Sequence, residues 1–108
     1  MNDQPSAKPR LILEYIPDQA THLVRLYDKE NHPMEDKWLF PPELVKGKTG
    51  KQLRDYFCLP YTPTFACDAV VQPEHKIYGW ATPSSKRPNI FETTGGVTFS
   101  NERPIAAS

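Results

Sequence analysis

The sequence lacks several features on which an assignment of function commonly rests. It has only two cysteines, Cys58 and Cys67, and no Cys-x-x-Cys pair, so a zinc site is not expected. A disulfide between them is one option, and two buried free thiols are the preferred interpretation. No segment approaches the roughly 18 apolar residues of a membrane span, and no apolar signal region opens the chain. We therefore expect a soluble chain whose export would depend on a carrier or a larger parent chain.

Net charge is also absent. Lysine plus arginine number 13, and so do aspartate plus glutamate, which gives a formal net charge of +0. Such a chain has no overall field to attract nucleic acid or an anionic membrane, although a local basic patch is compatible with this balance. No Gly-x-Ser-x-Gly motif, Cys/His pair or carboxylate pair at useful spacing stands out. Any catalysis is therefore expected to need neither a metal nor another cofactor.

The length and the proline content favour one small domain. The chain has 108 residues, of which 12 are proline, and only 38% are apolar. Proline breaks helices and favours short strands and loops. We expect flexible tails at 1–9 and 106–108 and a single globular domain over 10–105.

The pattern of apolar residues predicts an α+β fold: a small twisted antiparallel sheet of five or six short strands with one main helix packed on it. The predicted strands are 11–16, 22–27, 37–40, 64–71, 76–80 and 97–99. Small residues in the strand 64–71 indicate a central position. Residues 81–91 are predicted to be a mobile loop that lines the functional site.

The main helix is predicted over Thr49–Leu59. Thr49 and Gln52 fit a capping box, in which each side chain accepts a hydrogen bond from the backbone amide of the other residue. Pro60 ends the helix. One apolar face is expected to pack on the sheet, formed by Leu53, Tyr56 and Phe57.

Three side chains are candidates for catalysis. His75 suits general acid–base transfer near neutral pH, with the alternative that it is a turn histidine without a role. Arg54 could hold a phosphate with two hydrogen bonds, or pair with a neighbouring carboxylate at position 55 or 68. Arg103 follows the last strand and is a further candidate for ligand contact.

A second group is predicted to bind substrate. Lys76 adjoins His75 and could stabilise charge on a phosphorane or a leaving oxygen. Gly95 and Gly96 allow close approach of the backbone to a ligand. Thr94 and Thr98 flank them and could donate to phosphate or ribose, or could simply be good strand residues.

A series of short motifs runs through the second half of the chain. They are Leu53-Arg54-Asp55-Tyr56-Phe57-Cys58-Leu59-Pro60, Pro63-Thr64, Gly79, Gly95-Gly96-Val97-Thr98-Phe99 and Asn101-Glu102-Arg103-Pro104. Over residues 49–105 this series resembles the C-terminal toxin domains of bacterial polymorphic toxins, of the contact-dependent inhibition and filamentous haemagglutinin-like type. The resemblance implies delivery as part of a larger protein into the cytoplasm of a neighbouring bacterium, and an immunity protein that neutralises the toxin at home.

Three functions compete. The first is a metal-independent ribonuclease toxin acting on RNA, including transfer RNA, which requires His75, Arg54 and Arg103 to converge in a cleft. The second is an NAD glycohydrolase or ADP-ribosyl-transfer toxin with the dinucleotide beside Gly95 and Gly96; Thr98 stands where such domains carry Gln, which argues against it. The third is a non-catalytic module that binds a protein through an open edge strand or an aromatic patch. The ribonuclease is the favoured hypothesis.

Overall fold

A computed structural model describes residues 9–30 and 38–107. The described elements are β1 (Arg10–Tyr15), β2 (Thr21–Tyr27), α1 (Pro42–Val45), α2 (Gly50–Phe57), β3 (Phe65–Val71), β4 (Ile77–Ala81), β5 (Ile90–Thr93) and β6 (Val97–Pro104). Residues 1–8 of the predicted tail, Lys37 of the predicted strand 37–40 and Ser108 lie outside the described residues. Neither of the described helices is long and apolar enough to cross a membrane.

The α+β class is confirmed, but the prediction of a single sheet is wrong. The strands form two sheets of three, in the orders β1-β4-β5 and β2-β3-β6, and all four strand pairs are antiparallel. β3 is central in its sheet, as its small residues predicted. β1 and β6 are outer strands whose residues are almost all exposed.

The segment at Leu39 and Phe40 explains why there are two sheets. Leu39 exchanges both backbone hydrogen bonds with Phe91 of β5, at 2.7 Å each, and Phe40 does the same with Val24 of β2, at 2.8 Å each. Two prolines follow immediately, at 41 and 42, and a proline has no amide hydrogen to continue a ladder. The predicted strand 37–40 is therefore reduced, in its described part, to single bridges that link the two sheets.

One strand that the sequence prediction omitted begins within the predicted loop 81–91. β5 pairs with β4 from Ile77↔Thr93 to Trp80↔Ile90. Three of its four residues, Ile90, Phe91 and Thr93, are good strand formers, and the surrounding prolines and serines favoured a loop. The ends of the connection between β4 and β5 are held together, since the side-chain amide of Asn89 donates to the Thr82 hydroxyl at 2.7 Å.

Helix α2 follows the predicted pattern. The Thr49 hydroxyl accepts from the Gln52 amide at 3.2 Å, and the Gln52 side chain accepts from the Thr49 amide at 2.9 Å, which is a complete capping box. Leu53 and Phe57 are fully buried, and Tyr56 packs at the edge of the core. These side chains fill the core between α2 and the sheet β2-β3-β6.

The end of the chain contacts the start of α2. The amide of Gly50 donates to the Ala106 carbonyl at 2.7 Å, and the amide of Lys51 donates to the Ala107 carbonyl at 3.2 Å. Both amides belong to the first turn of α2 and have no partner within the helix. Residues 106 and 107, predicted as tail, thus help to close the helix N-terminus.

Both cysteines are free thiols. Cys67 is buried in β3, and burial raises the pKa of its thiol. Cys58 is half-buried and ends α2 in the left-handed conformation, with φ of 56°.

Candidate functional site

Five of the sequence-predicted site residues share one corner of the molecule. Gly95 and Gly96 carry the chain from β5 to β6 with φ of 139° and 71°. The half-buried His75 ring lies against Gly96, since a β-carbon there would come within 2.4 Å of its Nε2 atom. The Lys76 carbonyl accepts from the Thr94 amide at 3.4 Å. This His75 corner, none of whose residues is fully buried, lies where the chain passes between the two sheets.

The His75 corner is distant from Arg103. The ring of His75 contacts Gly96, just before β6, whereas Arg103 lies near the other end of that strand. A strand advances about 3.3 Å per residue, so positions 96 and 103 are separated by roughly 20 Å. The structure therefore does not bring His75 and Arg103 together.

Arg103 occupies its position because of a bulge in β6. The pairing of β6 with β3 shifts register between Ala66↔Arg103 and Asp68↔Ser100, and Asn101 within this interval has φ of 57°. In a regular strand, side chains alternate between the two faces, and Glu102 would share the face of Ser100. The bulge turns Arg103 onto that face instead, which is a common use of bulges beside functional sites.

The bulge places Arg103 next to Asp68. The Arg103 guanidinium lies 3.1 Å from the Asp68 carboxylate, and the Asn101 side-chain amide donates to the same carboxylate at 2.8 Å. The hydrogen bond from Asn101, and then the charge of Arg103, hold the pKa of the Asp68 carboxyl below its usual value; the charge of His22 contributes less. Asp68 is therefore ionised at neutral pH and holds the guanidinium in place.

A cleft opens beside this ion pair. It has a volume of about 430 Å³ and lies between the face of the sheet β2-β3-β6 and the connection from α1 to α2. Its ionisable lining residues are Lys46, Lys48, Asp68 and Arg103. The lining thus carries more basic than acidic residues, although the Lys48 ammonium itself lies 2.7 Å from the Leu44 carbonyl and 5.3 Å from the centre of the Tyr56 ring.

The cleft adjoins a smaller cavity that contains a histidine. This cavity, of about 360 Å³, shares Pro42 and Asp68 with the larger one and is also lined by His22, Ser100 and Asn101. The strand register places His22, Val70 and Thr98 side by side across the sheet. We call the two cavities together the Asp68 cleft. Thr98, a predicted substrate-binding residue, thus lies on the sheet face that the cleft occupies.

Arg54 is engaged elsewhere. Its guanidinium donates to the Thr62 hydroxyl at 2.9 Å and to the carboxylate of Asp55 at 3.3 Å. Of the two carboxylates considered in the sequence, Arg54 pairs with the adjacent one, and Asp68 pairs with Arg103. The three predicted catalytic residues therefore have separate surroundings.

Sequence reasoning did not identify His22 or the site role of Asp68. Both lie within strands, and their proximity depends on the pairing of β2 with β3. One signal was present in the sequence: an aspartate inside an otherwise small and apolar strand needs a polar partner, and asparagine at 101 is a residue type that tolerates the left-handed conformation of a bulge.

Comparison of the chain with protein-family models, curated proteins and solved structures finds no match. Within residues 9–30 and 38–107, no group of three His, Cys, Asp or Glu side chains is arranged to hold a metal ion.

Proposed function

We propose that this chain is an RNA-cleaving domain of the bacterial toxin type, and that a phosphate of the RNA binds in the Asp68 cleft. The observation that carries the proposal is the bulge at Asn101, which directs Arg103 into a cleft that also contains Lys46 and Lys48. Asn101 and Arg103 belong to the Asn-x-Arg-Pro motif that closes the toxin resemblance.

Arg103 is suited to a phosphate because a guanidinium can donate two parallel hydrogen bonds to it. The Asp68–Arg103 pair is only partly buried, so its own contribution to stability is small, about 0–1 kcal/mol. A phosphate that displaces the Asp68 carboxylate from the guanidinium therefore gives up little stability. The ammonium of Lys48 already donates to the Leu44 carbonyl at 2.7 Å, which leaves Lys46 as the more adaptable cation.

His22 is the candidate for proton transfer, since histidine is the side chain that ordinarily gains and loses a proton near neutral pH. In the proposed reaction the 2′-hydroxyl oxygen of the RNA bonds to the adjacent phosphorus, and His22 accepts the hydroxyl proton. The bond from phosphorus to the 5′-oxygen breaks, and this oxygen takes a proton from solvent. The products are a 2′,3′-cyclic phosphate and a 5′-hydroxyl end.

Expression inside a bacterium without a protective partner tests the proposal. The wild-type chain should arrest growth and degrade RNA while the NAD pool stays constant, and Arg103→Ala or His22→Ala should relieve the arrest. Arg87→Ala, at an exposed arginine of the connection between β4 and β5, is the matched control and should behave as wild type.

Two outcomes would overturn the proposal. Loss of NAD with intact RNA would favour the glycohydrolase or ADP-ribosyl-transfer hypothesis. Normal growth of the wild type with both pools intact would leave the non-catalytic binding module as the better account.

A further inference from the structure

A second groove adjoins the Asp68 cleft at His22. It has a volume of about 470 Å³, which lies in the range of roughly 300–1,000 Å³ that is typical of small-ligand sites. Its lining shares His22, Leu23 and Pro42 with the smaller cavity of the Asp68 cleft. From there the groove extends to Tyr15 of β1 and Phe91 of β5. It is therefore continuous with the proposed reaction site.

Three aromatic side chains line this groove. Tyr15 of β1 pairs with Ile77 of β4. Phe91 of β5 pairs with Gly79, two residues further along β4, so the rings of Tyr15 and Phe91 lie on the same face of the sheet. Tyr56 of α2 also lines the groove. Tyr15 is 42% exposed, and Phe91 and Tyr56 are half-buried, so each ring has surface that a ligand can contact.

We propose that this groove (the base groove) holds the base of the nucleotide whose 2′-hydroxyl attacks the phosphorus. The inference rests on the proposed function and adds a binding subsite to it. Aromatic side chains commonly hold single-stranded nucleic acid by stacking on its bases, because every base has a flat π-face. The ligand class is thus a nucleobase of a single strand, and stacking of this kind tolerates any of the bases.

The shared position of His22 links the base to the reaction. In a ribonucleotide the base and the 2′-hydroxyl are carried by neighbouring carbon atoms of one ribose. A base in the base groove therefore brings its 2′-hydroxyl towards His22, the proposed proton acceptor, while the adjacent phosphate lies in the Asp68 cleft. The nucleotide is thus divided between the two sites, with its base on the rings and its phosphate on the cations.

The charges in the base groove favour a base over a second phosphate. Besides His22, its charged lining residues are Glu43 and Arg87, which are both exposed and of opposite sign. The groove therefore has little net charge to attract a phosphate, whereas basic residues predominate in the larger cavity of the Asp68 cleft. The proposed contacts are those of the rings and include neither Glu43 nor Arg87.

The test is the binding of two uncleavable single strands to the full chain, measured by fluorescence anisotropy. One strand is DNA, which has no 2′-hydroxyl to attack the phosphorus, and the other is the same sugar–phosphate chain without bases. The wild type should bind the base-bearing strand at least about fivefold more tightly than the abasic strand, which is the lower end of the effect of stacking one base.

Substitution of the rings should remove this difference. Tyr15→Ala should bind the base-bearing strand about fivefold more weakly than the wild type does, and the abasic strand equally well. Tyr15→Phe keeps a ring and should bind both strands as the wild type does. Phe91→Leu keeps an apolar side chain but removes the ring, and it should weaken the binding of the base-bearing strand alone.

Two further variants separate the base groove from its surroundings. Tyr78→Ala is the matched control and should bind as the wild type does, because Tyr78 follows Ile77 in β4 and so lies on the opposite face of the sheet from Tyr15. Arg103→Ala should weaken the binding of both strands, since both carry the phosphates. Melting curves verify that each variant is folded.

Equal binding of the two strands by the wild type would overturn the inference and would favour a protein segment as the occupant of the base groove. So would binding of the base-bearing strand that is unchanged in both Tyr15→Ala and Phe91→Leu. Cleavage of RNA by the wild type alongside either result would leave the function proposal standing. Ring-dependent binding without cleavage of RNA would overturn the function proposal and leave the base groove as a binding site, so the two can fail separately.

Discussion

The ring of His75 lies directly against Gly96, where an added β-carbon would be 2.4 Å from its Nε2 atom and 2.5 Å from Cδ2. Gly47 also has a positive φ, of 79°, but no atom lies within 4 Å of its β-carbon position. A comparison of alanine substitutions at the two glycines therefore separates the free-energy cost of a strained backbone from that of a steric clash.

Gly96→Ala should lower the free energy of unfolding by more than Gly47→Ala does. Alanine in the left-handed region destabilises both variants by about 1–2 kcal/mol, and only Gly96→Ala also displaces His75. Urea denaturation measures the free energy of unfolding of each variant. In a His75→Ala background the difference between the two glycine variants should disappear; if it persists, the His75 contact is not its source.

Leu53→Ala should cost about 2–5 kcal/mol of unfolding free energy, because Leu53 is fully buried between α2 and the sheet. Lys51→Ala, at an exposed position of the same helix, is the control and should change stability by less than about 0.5 kcal/mol. Equal melting temperatures for Leu53→Ala and wild type would show that α2 does not form part of the core.

Cys58→Gly should be more stable than Cys58→Ala by about 1 kcal/mol. Position 58 ends α2 with φ of 56°, a conformation that costs glycine little and other residues more. Both substitutions remove the thiol, so the comparison isolates the backbone. A more stable alanine variant, measured by chemical denaturation, would contradict this account of the helix end.

Stability should fall as the pH rises above about 10, the usual pKa of tyrosine. Burial, and then the hydrogen bond that the Tyr27 hydroxyl donates to Glu102, raise the pKa of Tyr27. Because the pKa of Tyr27 is higher in the folded than in the unfolded state, Tyr27 stabilises the folded state fully below pH 10, and this stabilisation is lost as the pH rises above 10. Tyr27→Phe should therefore show a shallower decline in unfolding free energy from pH 9 to 11; parallel declines would contradict this.

Local features of the fold could be predicted from the sequence. The capping box of Thr49 and Gln52 and the buried face of α2 depend on residues three or four positions apart, and the structure confirms both. The central position of β3 followed from its small residues. In each case the signal lies within one element.

Features that depend on distant pairings could not be predicted. The separation into two sheets arises from the single bridges of Leu39 and Phe40, which join strands far apart in the chain. The candidate site also depends on pairings between strands that are far apart in the chain. His75 and Arg103 were grouped because each is a plausible catalytic residue, whereas the register and the bulge at Asn101 place Arg103 beside Asp68, which also lines the cavity of His22.

Cleavage of an RNA strand by the purified chain tests the central claim most directly, with His22→Ala and His75→Ala compared side by side. The wild type should produce 2′,3′-cyclic phosphate and 5′-hydroxyl ends. His22→Ala should slow cleavage by about 10²–10⁴-fold, as expected for loss of a general acid–base, while His75→Ala, outside the Asp68 cleft, should cleave at the wild-type rate. Intact RNA with the wild type, or loss of cleavage in His75→Ala but not in His22→Ala, would contradict the assignment of function to the Asp68 cleft.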